Sequence, residues 1–370
     1  PRVVDGHGLT AISTATLRER PEPYMLPLEL ARGKIGQVRN QLAEWRMLGL
    51  SVPESVEQTL RSAIRTFGDA AVACQGSAAS AALAEESLRL ALDAAVLLAA
   101  AFCEQAVSIR RRTCGRLAVQ LGADLGATPL DEYAASQYLQ TFNAAVVPMV
   151  WREIEAREGT FSWEVCDEQI AWCRANGMTV YAGPLLQFDP RCVPDWVYLS
   201  EGDFDSLLSF ASEFVVAAVS RYRGKVDAWV SAGRVNTAET FSLTEEERVK
   251  LTARAVELTR ALDSEAEVIV SFDQPWGEYL SRQGNDFPPL HFADALLRAE
   301  LGLTGLGLEV NLGYCPGGTL PRDPLEFSRN LDFWSLLGAP LHLTVSVPSS
   351  SLPDPLAQRR ARTLGETWTP

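Results

Sequence analysis

Residues 221–236 read RYRGKVDAWVSAGRVN. The pattern predicts the last turn of a helix, a glycine turn, and a short apolar strand over Val226–Ala232. The strand leads into a polar loop that carries Arg234, Asn236 and Glu239. In an α/β barrel, a helix, a glycine turn and a strand that ends in polar residues form the face at the carboxyl ends of the strands, where ligands bind. This face is called the working face. The segment therefore predicts a barrel whose functional residues follow its strands.

From Arg116 onward, short apolar segments alternate with amphipathic segments of helical length, which is the rhythm of parallel βα units. The predicted strands are 117–121, 144–148, 179–186, 226–232, 267–272, 305–311 and 340–347. The predicted helices are 130–140, 163–176, 204–223, 245–262, 289–300 and 324–337. Seven strands are one short of an eight-fold barrel, and unpaired parallel edges are costly. We therefore predict a TIM (β/α)8-type barrel over 114–370 that lacks its last βα unit in this chain.

The first 113 residues predict a separate segment that is mainly an α-helical arm. Leu9–Arg20 is a strand candidate, and three helices are predicted over 28–48, 51–67 and 77–109 from their apolar spacing. Such apolar faces are usually buried within their own chain. Packing of the arm on its own chain and binding of a partner by the arm both remain open.

Composition excludes several kinds of partner. The chain has 370 residues and a net charge of -14, which disfavours nucleic acid and anionic membrane surfaces. The sequence contains no apolar run of about 20 residues, so no membrane span is predicted. The chain begins at Pro1 without a Met or a signal-like segment, so we expect a piece of a longer protein. Localisation is open, with a reducing cytoplasmic interior favoured.

Cysteine and histidine usage predicts no cofactor. Seven cysteines at scattered spacings form neither a disulfide framework nor a zinc pattern. The three histidines, at positions 7, 291 and 342, offer little for a metal site or a Ser-His-Asp site. The glycine-rich segment 313–318 lacks the Lys-Ser/Thr of a phosphate-binding loop. We therefore expect no cofactor and no metal.

Several segments are similar to the sequence motifs of one enzyme family. Residues 221–234 are similar to R-Y-x-G-K followed by A-W-D-x-x-N-E, and 155–163 (EAREGTFSW) to E-P-x-x-G-x-F-x-W. Residues 193–197 (VPDWV) resemble L-P-x-W-V. In these segments the chain resembles glycoside hydrolase family 10, the xylanases of the retaining (β/α)8 clan, over about 116–348. The resemblance implies a barrel that acts on the O-glycosyl bonds of β-glycans, with a polysaccharide or oligosaccharide as its partner.

The family's two reactive carboxyl groups are replaced in this sequence. The resemblance puts Arg234 at the acid/base position and Val345 at the nucleophile position. A retaining glycosidase needs two carboxyl groups about 5–5.5 Å apart. Valine has no ionisable group, and arginine stays protonated near neutral pH. The family's retaining mechanism is therefore not supported by these residues.

Acidic residues nevertheless follow the predicted strands. Asp273 ends the fifth strand and Glu309 lies in the sixth, so their carboxyl groups are expected to approach each other. One interpretation makes them the acid and base of an inverting hydrolysis, with Arg234 orienting the substrate. The other makes Glu309 the charge partner of Arg234 in the barrel mouth. Both interpretations stay open at this point.

Candidate ligand contacts complete the predicted site. Predicted substrate-binding residues are Glu239, Trp276, Glu278, Asn311 and Tyr314. Aromatic residues expected near the same face are Trp151, Tyr181, Phe188, Trp276, Tyr279 and Tyr314. Two functions are consistent with this set. One is a carbohydrate-active barrel with a non-standard active site, and the other is a catalytically inactive relative that binds glycans or acts as a scaffold.

Overall fold

The chain forms two compact units. The computed structural model describes residues 1–370 except 75, 116, 118, 239, 282–285, 316, 348–361 and 364–370. The first unit contains residues 1–118 and 320–333, and the second contains residues 119–319 and 334–370. The sequence-based boundary between 113 and 114 stays a prediction.

Helices dominate the first unit. Its elements before residue 118 are β1 (Arg2–Val4), β2 (Gly8–Thr10), α1 (Leu26–Met47), α2 (Glu54–Val72) and α3 (Ala78–Cys114). Apolar residues of α1 recur at helical spacing and bury one face, from Leu30 to Trp45. Trp45 stacks on Phe102 of α3, with ring centroids 4.0 Å apart. The predicted strand over Leu9–Arg20 is wrong, because only Gly8–Thr10 is paired, in an antiparallel hairpin with β1.

Helix α3 is more apolar than the sequence reading allowed. It runs for 37 residues and contains a window of 18 residues with a mean hydropathy of 1.7. Among the described residues it is the one helix whose length and composition would allow a membrane crossing. Leu88, Leu92 and Leu98 on this helix are buried in the core of the first unit. Helices in the core of a helical bundle meet the same criterion of length and composition.

An ion pair lies inside the first unit. Lys34 of α1 donates to Asp323 Oδ2 at 2.6 Å, and each side chain is only 3% exposed. The other oxygen of Asp323 accepts from the backbone N–H groups of Leu325 and Glu326. Asp323 therefore pairs with a buried ammonium group and also caps the start of a helix. Two buried charges remain tolerable only while each has its partner.

The second unit is an alternation of strands and helices. Its strands are β3 (Gly122–Asp124), β4 (Ala144–Val147), β5 (Thr179–Ala182), β6 (Ala228–Gly233), β7 (Glu267–Asp273), β8 (Gly305–Asn311), β9 (Tyr314–Cys315), β10 (Leu341–Ser346) and β11 (Arg362–Thr363). Its helices are α4 (Glu132–Thr141), α5 (Trp151–Ile154), α6 (Glu164–Ala175), α7 (Phe204–Tyr222), α8 (Glu245–Leu262) and α9 (Pro289–Arg298). Helix α10 (Pro324–Ser335) begins in the first unit and ends in the second.

Seven parallel strands form one sheet in the order β10-β8-β7-β6-β5-β4-β3. The sheet is curled, because the rings of Tyr181 on β5 and His342 on β10 lie 5.7 Å apart. Four strand spacings separate these strands along the sheet, which would place the two rings roughly 19 Å apart if the sheet were flat. Curling with helices between the strands is the TIM-type α/β architecture that the sequence predicts. No eighth barrel strand lies in the described part of the chain.

Two details of the predicted barrel differ from the structure. The first strand is Gly122–Asp124 and not 117–121, because it is Gly122 to Asp124 that pair in register with β4. Val119 and Leu121 precede the strand, and both are more than half exposed. Tyr181 pairs with Ala228 at the beginning of β6, so it lies toward the amino ends of the strands. Its expected place on the working face is wrong.

The buried Lys34–Asp323 pair predicts a stability experiment. Lys34→Met leaves the Asp323 carboxylate buried without its counterion, so we expect the free energy of unfolding to fall by about 3–5 kcal/mol. Urea denaturation followed by circular dichroism measures the change.

Two further variants complete this test. Lys34→Met combined with Asp323→Asn removes both charges and keeps the helix cap, so it should recover most of the loss. Arg46→Met removes an exposed partner of Glu57 and should leave the unfolding midpoint unchanged. Equal midpoints for Lys34→Met and Arg46→Met would contradict a stabilising role for the buried pair.

Candidate functional site

Arg234 stands directly after β6, where the strand leaves the sheet. The N–H of Gly233 donates to Leu186 O at 2.9 Å, and the N–H of Arg234 donates to Ser271 O at 3.0 Å. Arg234 then adopts a left-handed backbone with φ of 56°. This conformation costs a non-glycine residue about 1 kcal/mol or more. Such a cost persists only where the surrounding contacts hold the residue in place, and those contacts lie on the next two strands.

The guanidinium of Arg234 pairs with Glu309 on β8. Arg234 Nε lies 2.5 Å from Glu309 Oε2, and Ser271 Oγ on the intervening strand β7 donates to Glu309 Oε1 at 2.7 Å. Both oxygens of Glu309 therefore accept hydrogen bonds. The side chains are largely enclosed, at 24% exposure for Arg234 and 10% for Glu309. The structure thus brings together the two residues that one sequence interpretation paired.

Small residues make room for this arrangement. A Cβ on Gly307 would lie 2.9 Å from Ser271 Cβ, and a Cβ on Gly233 would lie 2.9 Å from Pro184 Cβ. The same position on Gly233 is 3.7 Å from Glu309 Oε1. The two distances of 2.9 Å are shorter than the contacts that real Cβ atoms make, so glycine is required at each position. Pro184 and Glu309 together fill the space beside the end of β6.

Asp273 forms a second polar group next to this pair. It aligns with Glu309 in the register between β7 and β8, so the two side chains leave the sheet on the same face. Asp273 Oδ1 accepts from Asn311 Nδ2 at 2.9 Å and from the N–H of Gln274 at 2.9 Å. Gln274 also has a left-handed backbone, with φ of 51°. Its amide Nε2 donates to Gly317 O at 3.0 Å, which ties the segment after β8 to the end of β7.

Charges in the site keep Arg234 protonated. Burial alone would lower the pKa of the guanidinium, but the nearby carboxylates of Glu309, Asp273 and Asp189 raise it above its usual range. Asp189 follows β5, is buried, and accepts from Gln187 Nε2 at 3.0 Å. Arg234 therefore acts as a permanent cation among three acidic groups. It cannot serve as a proton donor at the position where the family resemblance expects one.

Val345 lies one residue before the end of β10 and aligns with Val310 of β8. Thr344 is the residue that aligns with Glu309. Because side chains alternate between the two faces of a strand, Val345 projects on the face opposite to that of Glu309. Its side chain contributes no reactive group to the carboxyl cluster.

The predicted ligand contacts have different outcomes. Asn311 is buried and contacts Asp273, whereas Trp276 and Glu278 are half-buried in the segment after β7. Glu239 and the side chain of Tyr314 lie outside the described residues. Among the other aromatic candidates, Trp151, Phe188 and Tyr279 are buried packing residues, and each is 3% exposed or less. Trp276 and Tyr181 are partly accessible, and of these two Trp276 follows the carboxyl end of a strand.

Sequence reasoning missed Ser271 and Pro184 as parts of the site. Ser271 sits two residues before Asp273, and strand alternation from that acid could have placed its hydroxyl on the same face. Pro184 lies in a segment that differs from the family pattern, and no local signal identifies its packing against Gly233. Among the described residues, no group of three or more His, Cys, Asp or Glu has an arrangement suited to a metal ion.

Comparison with known proteins agrees with this architecture. Residues 120–242 match the family model described as glycosyl hydrolase family 10. That segment contains Arg234 and ends before Asp273, Glu309 and Val345.

Solved structures align with part of the chain. A family 10 glycosyl hydrolase from Paenibacillus barcinonensis aligns with a TM-score of 0.50 and 18% identity, over 65% of this chain and 74% of that chain. Xylanase 10B from Thermotoga maritima aligns with a TM-score of 0.48 and 16% identity, over 63% and 72% of the two chains. The first likeness shows a shared fold. The resemblance of this chain to glycosyl hydrolase family 10, with a TIM-type barrel fold, is therefore confirmed.

Proposed function

We propose that this chain is a relative of family 10 glycosyl hydrolases that binds a β-linked oligosaccharide or polysaccharide without the family's retaining hydrolysis. The observation that carries the proposal is the engagement of both Glu309 oxygens, by Arg234 and by Ser271. A carboxyl group held in this way is a structural ion pair. The barrel face remains a ligand surface, because TIM-type barrels bind ligands at the carboxyl ends of their strands.

Double displacement has no support among these residues. It requires a nucleophilic carboxylate and a second carboxyl that alternates between acid and base. Arg234 stands at the acid/base position and is held in its charged form by Glu309, Asp273 and Asp189. Val345 stands at the nucleophile position and projects away from the carboxyl cluster.

One observation favours a second function, inverting hydrolysis by Asp273 and Glu309. These residues align on neighbouring strands and share one face of the sheet. An inverting enzyme needs one carboxyl group that holds a proton and one that is ionised, with space for a water between them. Both oxygens of Glu309 already accept hydrogen bonds from Arg234 and Ser271, whereas a catalytic acid or base must reach the substrate or its water. Ligand binding without turnover therefore fits the arrangement better.

Sugar recognition needs an accessible ring and polar groups beside it. Trp276 is half-buried two residues after Gln274, in the segment that leaves the carboxyl end of β7. Asn311 and Asp273 supply amide and carboxylate atoms on the neighbouring strands. Sugars place their C–H faces on aromatic rings and their hydroxyl groups on such polar atoms. Trp276 is the stacking platform in this proposal, and Glu278 and Asn311 are polar contacts; Glu239 and Tyr314 remain predicted contacts from the sequence.

Glycan binding can be measured directly. We expect the full chain to bind at least one member of a panel of xylo-, cello- and mixed-linkage β-oligosaccharides in isothermal titration calorimetry. Trp276→Ala should weaken that binding about fivefold to tenfold, because a ring contact contributes about 1 kcal/mol. Tyr133→Ala removes an exposed ring from α4 and should leave the affinity within about twofold, a negligible change in free energy.

Turnover separates the two functions. Incubation of the same oligosaccharides with the full chain should release no reducing ends beyond the background of a heat-treated sample. Hydrolysis that is abolished by Asp273→Asn or by Glu309→Gln would overturn the proposal in favour of inverting catalysis. Absence of both binding and turnover across the panel would reject a carbohydrate function.

The structural character of the Arg234–Glu309 pair has its own test. Arg234→Met leaves the Glu309 carboxylate enclosed with Ser271 as its remaining partner, so we expect the free energy of unfolding to fall by about 3 kcal/mol. The double variant Arg234→Met with Glu309→Leu should recover at least half of that loss. Denaturant unfolding monitored by tryptophan fluorescence measures both.

An exposed pair in the same unit serves as the control. Arg221 contacts Asp167, and both side chains are more than 40% exposed. Arg221→Met should leave the unfolding midpoint unchanged, since solvent screens such pairs. If Arg234→Met proves as harmless as Arg221→Met, then Glu309 is not held by an ion pair and the basis of the proposed function is lost.

A further inference from the structure

The side chain of Asn236 grips the backbone of Asp273 from both sides. Its Nδ2 donates to Asp273 O at 2.8 Å, and its Oδ1 accepts from the N–H of Asp273 at 3.2 Å. Asn236 is 3% exposed, so water does not compete for these bonds. The residue lies in a short 3₁₀ turn, Val235–Thr237, that directly follows Arg234. The amide of Asn236 thus supplies the two backbone hydrogen bonds that a neighbouring strand would otherwise make to Asp273, at the point where β6 has ended.

This clamp joins the two polar groups of the site. On one side of it, Arg234 leaves β6 with a left-handed backbone and pairs with Glu309. On the other side, Asp273 is followed by Gln274, which is also left-handed and donates its N–H to the Asp273 carboxylate. Two strained residues on adjacent strand ends need a common support to keep their geometry. Asn236 is the side chain that contacts the backbone between them.

The chemistry of the clamp requires an amide. One oxygen and one NH₂ group match one backbone N–H and one backbone carbonyl. A carboxylate of the same shape would turn an acceptor toward the Asp273 carbonyl and would add a negative charge beside the acidic group. Arg248 Nη1 also contacts the backbone carbonyl of Asn236, at 3.4 Å. The position of the 3₁₀ turn is therefore fixed from the helix α8 side as well.

We propose that Asn236 is a positioning residue that orients the Asp273 carboxylate toward Asn311 and thereby sets the affinity of the site for its glycan. It acts through the backbone of Asp273 and does not touch the ligand. The ligand part of this inference rests on the proposed glycan binding. The orientation of Asp273 does not, since it is defined in the protein alone.

The chain offers a matched control in Asn143. Its Oδ1 accepts from the N–H of Leu121 at 2.7 Å, and its Nδ2 donates to Val119 O at 2.9 Å. The side chain likewise accepts one backbone hydrogen bond and donates another, here to two residues and in an exposed position immediately before β4, at the amino end of the strand. A substitution there removes the same kind of hydrogen bonds without reaching the site.

The experiment compares Asn236→Asp and Asn236→Ser with Asn143→Asp in the full chain. The first readout needs no ligand and is the ¹³Cγ resonance of Asp273, identified by its loss in Asp273→Asn. We expect both substitutions of Asn236 to shift this resonance by more than its linewidth and Asn143→Asp to leave it in place. Asn236→Ser is neutral, so its shift reports the lost clamp and not an added charge. An unmoved resonance, or equal shifts in all three variants, would overturn the inference.

The second readout is glycan affinity by calorimetry, measured well below the thermal midpoint of each variant. We expect the Asn236 variants to bind at least about fivefold more weakly than the unchanged chain, and Asn143→Asp to bind within about twofold. A purely structural role would lower the thermal midpoint and leave affinity unchanged in the folded fraction. If the unchanged chain binds no glycan of the panel, the proposed function fails and the Asp273 resonance alone decides the role of Asn236.

Discussion

The ion pair of a largely enclosed guanidinium determines the structure at the carboxyl end of the sheet. Arg234 reaches Glu309 across β7, and Ser271 on that strand takes the second oxygen of the same carboxylate. Around this pair the packing demands glycine at 233 and at 307, because side chains there would collide with Pro184 and Ser271. The ion pair also accounts for the left-handed backbone of Arg234. Charge, packing and local strain at this end of the sheet therefore have a common origin.

The same arrangement separates fold from chemistry. A curled sheet of parallel strands brings polar residues together at its carboxyl edge whatever their identity. Function depends on which residues occupy that edge. Here Arg234 stands at that edge, and it engages the Glu309 carboxylate together with Ser271. The family model matches residues 120–242, and Arg234 lies within that match.

Local signals explain which elements could be predicted from the sequence. Helix α8 and strand β8 begin and end as predicted, because Thr244 and Glu247 form a capping box and residues 305–311 are buried throughout. The first barrel strand differs from the prediction because Val119 and Leu121 of the apolar segment are more than half exposed, whereas the less apolar residues 122–124 are paired with β4. The Arg234–Glu309 pair could be anticipated, because both residues differ from the family pattern and an ion pair between them explains the two differences together. The clamp of Asn236 on Asp273 could not, since it depends on a backbone turn that no residue pattern marks.

The two units are interleaved along the chain, which limits how they can be separated. Residues 320–333 belong with the amino-terminal helices, although they follow β8 and precede β10 in sequence. Leu325 is fully buried in the core built by α1, α2 and α3. The polypeptide therefore leaves the barrel, completes the helical unit, and returns for another strand. No single cleavage or truncation can separate such interleaved units, and an excised barrel would carry the apolar face of a helix that belongs elsewhere.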